Sequence, residues 1–130
     1  MLSSEESAGT LLASAARTVD TYGPEMNNNK GYKGILLVCD CTVDGGGTVT
    51  PRLQYLNPAT KEWEVYKTGT AAAVGATGET QWIIYPLDGL ATALGLTLET
   101  PAPIPMVWRL FMDVADANSM TYSVGYQYLP

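Results

Sequence analysis

The sequence predicts an all-β domain, an antiparallel β-sandwich or jelly-roll-like fold with an N-terminal arm. Apolar residues recur mostly at every second position, which is the period of a half-buried strand. At least six such segments follow one another at short spacing, with turn residues between them. The chain has 130 residues, enough for one domain with its own core. We expect the arm over residues 1–30 and the sandwich over residues 31–130.

The first 30 residues divide into two parts. Residues 10–17 are rich in alanine and predict either a strand or a short helix. Residues 18–31 contain a Gly-Pro pair and three consecutive asparagines, which predict a polar loop. Glu5 and Glu6, with no basic residue near them, argue against a signal peptide.

Residues 34–43 predict a strand with one buried face. Its even positions become polar towards the end, while every odd position is apolar: Ile35, Leu37, Cys39, Cys41 and Val43. Three glycines after Asp44 end the strand in a turn. The two cysteines, at positions i and i+2 of one strand, suit small buried hydrophobes better than a disulfide or a metal site.

Residues 49–56 and 62–67 predict a β-hairpin around the turn at 57–61. In the return strand Trp63 and Val65 alternate with two glutamates, which predicts a half-buried strand with Trp63 and Val65 on its buried side.

The second half of the chain predicts three further strands, over residues 80–86, 106–114 and 119–129. The loop at 115–118 is expected to join the last two strands as a hairpin. Between the first two of these strands, glycines bound a short helix around residues 90–94, and three prolines then predict an extended connection.

Composition excludes several functions. The net charge is −6 and the seven basic residues are scattered, so we expect no nucleic-acid binding. No segment reaches the roughly 20 apolar residues of a membrane span. The chain has no histidine, which removes the commonest general base and most transition-metal sites. We therefore expect no enzyme activity, no metal and no cofactor.

Two routes to an enzyme remain, a lysine or a carboxylate pair. The candidate carboxylate pairs are Asp40 with Asp44 and Asp113 with Asp116. Asp44 and Asp116 lie in predicted turns, where aspartate is favoured for local hydrogen bonds. Asp40 and Asp113 lie late in predicted strands, where exposure to solvent is expected. The structural interpretation is therefore preferred, and unchanged activity after Asp40→Asn and Asp113→Asn would exclude this enzyme.

Six short motifs resemble a family of small virion proteins from tailed bacteriophages. They comprise the opening at 11–18, the apolar strand at 34–38, the hairpin with an Asn-Pro turn at 53–58 followed by Lys61, the Tyr85-Pro86 pair, Pro105-Met-Val-Trp108-Arg109, and Thr-Tyr-Ser-Val-Gly at 121–125. The resemblance touches both ends and the middle of the chain. Residues 19–30 and 87–104 carry no part of it.

The resemblance implies a structural protein of the virion, and within that class we prefer a capsid decoration (cement) protein. Such proteins usually sit as trimers on the outer shell and clamp neighbouring capsid subunits. The expected partners are the major capsid protein and further copies of the chain. The expected location is the capsid surface, after synthesis in the host bacterial cytoplasm. The expected interface residues are Leu11, Leu12, Arg17, Tyr22, Tyr126 and Tyr128.

Two alternatives stay open at this point. A head–tail connector or tail component would come from the same virion and would form a ring at one vertex. A carbohydrate-binding module would use tyrosine and tryptophan faces for sugar stacking. Tyr122, Tyr126 and Tyr128 form one such face, although packing on the core or on a neighbouring subunit is preferred for them.

Overall fold

The computed structural model describes residues 7–70 and 77–130 and confirms the all-β sandwich. Sheet A contains five strands in the order β1 (Ala8–Arg17), β10 (Met120–Leu129), β4 (Gly34–Asp44), β7 (Gly78–Ile84) and β8 (Leu98–Thr100). Its pairs are antiparallel except for β7 and β8, which run parallel.

Sheet B packs against sheet A and is antiparallel throughout. Its order is β2 (Thr21–Tyr22), β9 (Val107–Val114), β5 (Val49–Leu56) and β6 (Trp63–Thr68), and β3 (Met26–Asn27) also pairs with β9. The short helix α1 (Leu90–Leu94) lies between β7 and β8, as the sequence predicts. Left-handed glycines bound it at both ends, Gly89 with φ 83° and Gly95 with φ 70°.

The predicted arm contributes three strands to the two sheets, β1, β2 and β3. The alanine-rich segment forms strand β1, which pairs with β10 from Ala8 to Arg17. Leu11 and Leu12 are both buried, although neighbouring side chains of a regular strand point to opposite faces. A shift in the pairing register between Thr10 and Leu12 makes this possible, because a bulge turns a second side chain inward.

The predicted hairpin between the last two strands is wrong. Strand β9 lies in sheet B and β10 in sheet A, so the loop at 115–118 crosses from one sheet to the other. Strand β10 instead pairs with β4 along its full length. The crossing lets the apolar faces of β9 and β10 bury each other across the sandwich, which two partners within one sheet cannot do.

The predicted inner face of β6 is also wrong. Trp63 pairs with Leu56 and Val65 with Gln54, and Val65 is 47% exposed on the outer side of sheet B. A shift in register between Leu53 and Gln54 accounts for the change, because one extra residue exchanges the two faces of a strand.

Alternate residues of the central strands form one core between the sheets. The predicted inner face of β10 is confirmed, with every even residue from Met120 to Tyr128 at most 4% exposed. From sheet B, Trp108 is fully buried and packs edge-on against Tyr126 and Tyr128, and its indole Nε1 donates to the Tyr128 hydroxyl at 3.1 Å. Both cysteines are free and buried, as predicted.

Replacing Tyr128 with phenylalanine tests this buried hydrogen bond between the sheets. We expect the free energy of unfolding to fall by about 2 kcal/mol in urea titrations, because the Trp108 N–H then stays buried without an acceptor. Tyr85→Phe is the matched control, since its hydroxyl donates to the Pro130 carbonyl at the surface and its loss costs less than about 0.5 kcal/mol. Equal effects of the two changes would contradict this account of the core.

The thiol of Cys39 makes stability depend on alkaline pH. Burial, and then the neighbouring thiol of Cys41, raises the pKa of Cys39 from 9.0 to about 12. The unfolded chain loses this proton near pH 9 while the folded chain keeps it, so the stabilisation is complete below pH 9 and declines as the pH rises towards 12. Between about pH 8 and pH 10, we expect the natural chain to lose about 1.4 kcal/mol more than Cys39→Ala. Parallel urea titrations at the two pH values measure it, and equal losses would refute the assignment.

Candidate interaction surface

Four of the six predicted interface residues are covered by the chain itself. Leu11 and Leu12 are 6% and 8% exposed, and Tyr126 and Tyr128 are 4% and 3% exposed. All four belong to the core cluster between the sheets. Their side chains therefore offer no surface to a partner, and the tyrosine pair offers none to a sugar.

Arg17 is half-buried at the end of β1, where its guanidinium lies 4.6 Å from the centre of the Tyr122 ring. It donates hydrogen bonds to the backbone carbonyls of Ala13, Ala15 and Tyr122. Arg17 thus fastens β1 to β10 and stabilises the irregular part of β1, where the register shifts a second time.

Among the predicted interface residues, Tyr22 is exposed to solvent, 47% exposed on the outer face of sheet B. It belongs to an arginine–aromatic cluster formed by Tyr22, Gln54, Trp63, Arg109 and Phe111. Strands β2, β5, β6 and β9 each contribute to this cluster, so it crosses the whole sheet.

A guanidinium between two aromatic rings forms the centre of the cluster. The Cζ atom of Arg109 lies 4.2 Å from the centre of the Tyr22 ring and 4.5 Å from that of Trp63. Its Nε donates to Oε1 of the buried Gln54 at 2.7 Å. Phe111 stacks on Tyr22 with ring centres 4.7 Å apart and planes within 9°. These contacts hold Arg109 in one orientation on the sheet.

No carboxylate of residues 7–70 or 77–130 forms a salt bridge with the cation at the centre of the cluster. Burial lowers the pKa of the Arg109 guanidinium, and Tyr22 acts in the opposite direction. Arginine nevertheless stays charged under ordinary conditions. The neighbouring Arg52 differs, because it forms a salt bridge with Asp113 at 3.0 Å on the same face.

Exposed apolar side chains extend the cluster. Val65 lies beside Gln54 on this face. Met106, which is 65% exposed, precedes β9 at the end of the sheet. Next to Met106, a shallow apolar groove is lined by Tyr55, Leu56, Pro58, Pro105 and Val107. An outer sheet face is ordinarily polar where it meets only water. This face combines aromatic, aliphatic and arginine side chains instead, the composition found at the centres of protein interfaces.

The candidate catalytic carboxylates make structural contacts. Asp44 accepts from the backbone N–H of Gly46 at 2.8 Å and Asp116 from that of Asn118 at 3.0 Å, which are the predicted local hydrogen bonds. Asp113 is held by Arg52, and Asp40 is exposed on sheet A. Within residues 7–70 and 77–130, no three metal-ligating side chains come together. In the same part of the chain, no helix is long and apolar enough to cross a membrane.

The rings of the cluster suit protein contact better than sugar stacking. A sugar packs flat against an open aromatic face. Here Tyr22 already contacts the ring of Phe111 and the guanidinium of Arg109, and Trp63 contacts the same guanidinium. The cluster therefore favours a protein partner that contacts the edges of these rings and pairs with the Arg109 guanidinium.

Sequence reasoning identified Tyr22 but missed the other four members of the cluster. One signal was present: in β9 the odd residues Arg109 and Phe111 alternate with a fully apolar even face, so both must point outward. Trp63 carried the opposite signal, because the bulge beside Gln54 reverses its face.

Comparisons with known proteins place the chain near two solved structures of low similarity. The Yersinia pseudotuberculosis-derived mitogen is 13% identical, with a TM-score of 0.39 over 93% of this chain and 81% of that one. The SPBc2 prophage-derived protein YomS is 11% identical, with a TM-score of 0.43 over 92% of this chain and 89% of that one. Neither likeness bears on function at these TM-scores. No protein-family model and no curated protein matches the chain.

Tyr22→Leu tests whether the rings hold the cluster together. We expect the free energy of unfolding to fall by about 1–2 kcal/mol, since one aromatic stack and one cation–π contact are lost. Tyr22→Phe keeps the ring and should stay within about 0.5 kcal/mol of the natural chain. Urea titrations compare the variants, and a loss for Tyr22→Leu no larger than for Tyr22→Phe would argue against the stacked arrangement.

Proposed function

We propose that this chain is a non-enzymatic structural protein of a tailed-phage virion, a capsid decoration (cement) protein that binds the assembled head and stabilises it. One observation carries the proposal: an aromatic and aliphatic surface centred on an arginine lies on the outer face of sheet B. The resemblance of the sequence to small virion proteins supports the choice of partner, which is the major capsid protein.

The outer face of sheet B offers a rigid surface for docking. Its central strands β5 and β9 pair over seven residues and are anchored from below by core residues such as Leu53 and Leu110. A rigid surface loses little conformational freedom on binding, so more of the contact energy stabilises the complex. A cement protein needs this property, because it must resist the separation of capsid subunits.

The size of the face explains why a decoration protein would act as an oligomer. Strands β5 and β9 have eight residues each, β6 has six and β2 has two. At about 3.4 Å per residue and about 4.8 Å between strands, they present roughly 400 Å². A stable protein interface takes about 800 Å² from each partner. One copy would therefore bind weakly, whereas a trimer on a repeating capsid lattice gains affinity from several simultaneous contacts.

The charge of the chain suits the outside of the head. A net charge of −6 disfavours contact with packaged DNA, whose phosphates repel an acidic protein. The capsid exterior carries no such requirement for basic residues. This charge supports the proposal that the protein lies on the outer surface of the shell.

Charge substitutions on the proposed docking face should weaken capsid binding without unfolding the protein. We expect Val65→Glu and Met106→Glu, at positions 47% and 65% exposed, each to reduce binding to heads assembled without this protein by about tenfold or more. Leu87→Glu and Leu94→Glu are matched controls, since these side chains are 56% and 60% exposed elsewhere on the chain. Co-sedimentation measures binding, and the temperature of head disruption measures stabilisation.

Two results would contradict the proposal. Full resistance to heat and osmotic shock in heads that lack the protein would exclude a cementing role. Electron microscopy showing a six- or twelve-fold ring at one vertex would assign the chain to the connector or tail instead.

A further inference from the structure

We propose that Arg109 is a preorganised receptor for a carboxylate of the partner protein, an aspartate or glutamate side chain flanked by apolar residues. The proposal rests on the proposed function only for the identity of that partner as the capsid subunit. The chemistry of the receptor follows from the surroundings of Arg109 itself.

Arg109 differs from the other two arginines in having donors to spare. Arg17 donates to three backbone carbonyls, and Arg52 donates to Asp113 and to the Thr68 hydroxyl. Arg109 uses only its Nε, on Gln54. Among residues 7–70 and 77–130, no acceptor lies within hydrogen-bond distance of its terminal nitrogens and no carboxylate forms a salt bridge with it.

The rings on either side fix the orientation of this guanidinium before a ligand binds. Contacts at 4.2 and 4.5 Å fix its plane between Tyr22 and Trp63, and the hydrogen bond to Gln54 fixes its rotation. An arginine held in this way has already lost most of its side-chain freedom, so binding a carboxylate costs little further entropy. The two terminal nitrogens provide the parallel donors of a bidentate arginine–carboxylate pair.

A second copy of the chain is a poor occupant of this face. A two-fold dimer through sheet B would bring one unpaired Arg109 towards the other, which is repulsive. A contact of sheet B with sheet A of another copy would give Arg109 an acidic pair, because Asp40 and Glu79 lie opposite each other on the outer face of sheet A. The two outer faces point in opposite directions, however, so that contact would repeat into an open filament.

The surroundings of Arg109 also define what lies beside the carboxylate. Phe111 stacks within the cluster, Val65 lies beside it, and the apolar groove at Met106 lies at the end of the sheet. A polyanion such as nucleic acid would be repelled by a protein of net charge −6 whose basic residues are scattered. A single carboxylate with apolar neighbours, as on a folded protein surface, matches both the charge and the apolar rim.

Benzoate, which joins one carboxylate to an apolar ring, is a direct probe of this receptor. In the full chain labelled with ¹⁵N-arginine, we expect benzoate to shift the Nε–Hε resonance of Arg109 with a Kd of about 10 mM. Benzamide, the neutral analogue, should leave that resonance in place. The resonance of Arg52, already paired with Asp113, is the internal control.

Variants of Arg109 lack the Arg109 resonance, so they need a second resonance as the readout. Benzoate should also shift the indole N–H resonance of Trp63, and Arg109→Lys should abolish that shift while Arg52→Lys leaves it unchanged. An Arg109 resonance that benzoate does not move would overturn the proposal. So would an equal response to benzamide, or a Trp63 shift that persists in Arg109→Lys.

Capsid binding separates this proposal from the proposed function. If both hold, Arg109→Gln lowers the affinity for heads by about tenfold or more. If benzoate binds at Arg109 but the natural chain does not bind heads, the receptor stands and the cement role fails. If the chain binds heads and Arg109→Gln binds them equally well, the cement role stands and the receptor proposal fails.

Discussion

The fold depends on two consecutive strands that face each other across the sandwich. Strand β9 in sheet B and β10 in sheet A both turn their even residues into the core, where Trp108 packs edge-on against Tyr126 and Tyr128. The indole of Trp108 also needs a buried acceptor, and the Tyr128 hydroxyl supplies it. This requirement fixes the position of β9 along its own axis, since a shift by one residue would expose Trp108.

The same constraint positions the outer surface. Because Trp108 and Leu110 point inward, Arg109 and Phe111 must point outward on the strand between them. Strand β2 then lies beside β9 with Tyr22 opposite Phe111, and a backbone hydrogen bond from Gly23 to Leu110 holds it there at 2.8 Å. The bulge at Tyr66, between Val65 and Lys67, brings Trp63 to the outside from the opposite edge. The packing of the core therefore also determines where the members of the arginine–aromatic cluster lie.

The period-two pattern predicts most strands because it reflects burial on one side, and it predicts α1 because glycines bound it. It does not identify partners, since a strand alternates in the same way whichever neighbour it pairs with; the false hairpin of β9 and β10 follows from this. The sequence did not predict strand β8, because a strand of three residues is too short to show a period-two pattern. The inner side of β6 was misassigned because its bulge depends on pairing with β5. The cluster was mostly missed for a related reason, since four separate strands contribute to it.

An exposed aromatic face is ordinarily a liability, because two such faces bury each other and the protein self-associates. Arg109 changes that balance at the centre of sheet B. Its rings and Gln54 hold the charge where an identical face would have to approach it, so burial without an anion leaves a cation unpaired and desolvated. The same unpaired charge attracts a surface that does provide a carboxylate. In the proposed arrangement, Arg109 opposes contact between two copies through this face and favours a different, complementary partner there. The face can therefore stay apolar in a protein with few surface charges.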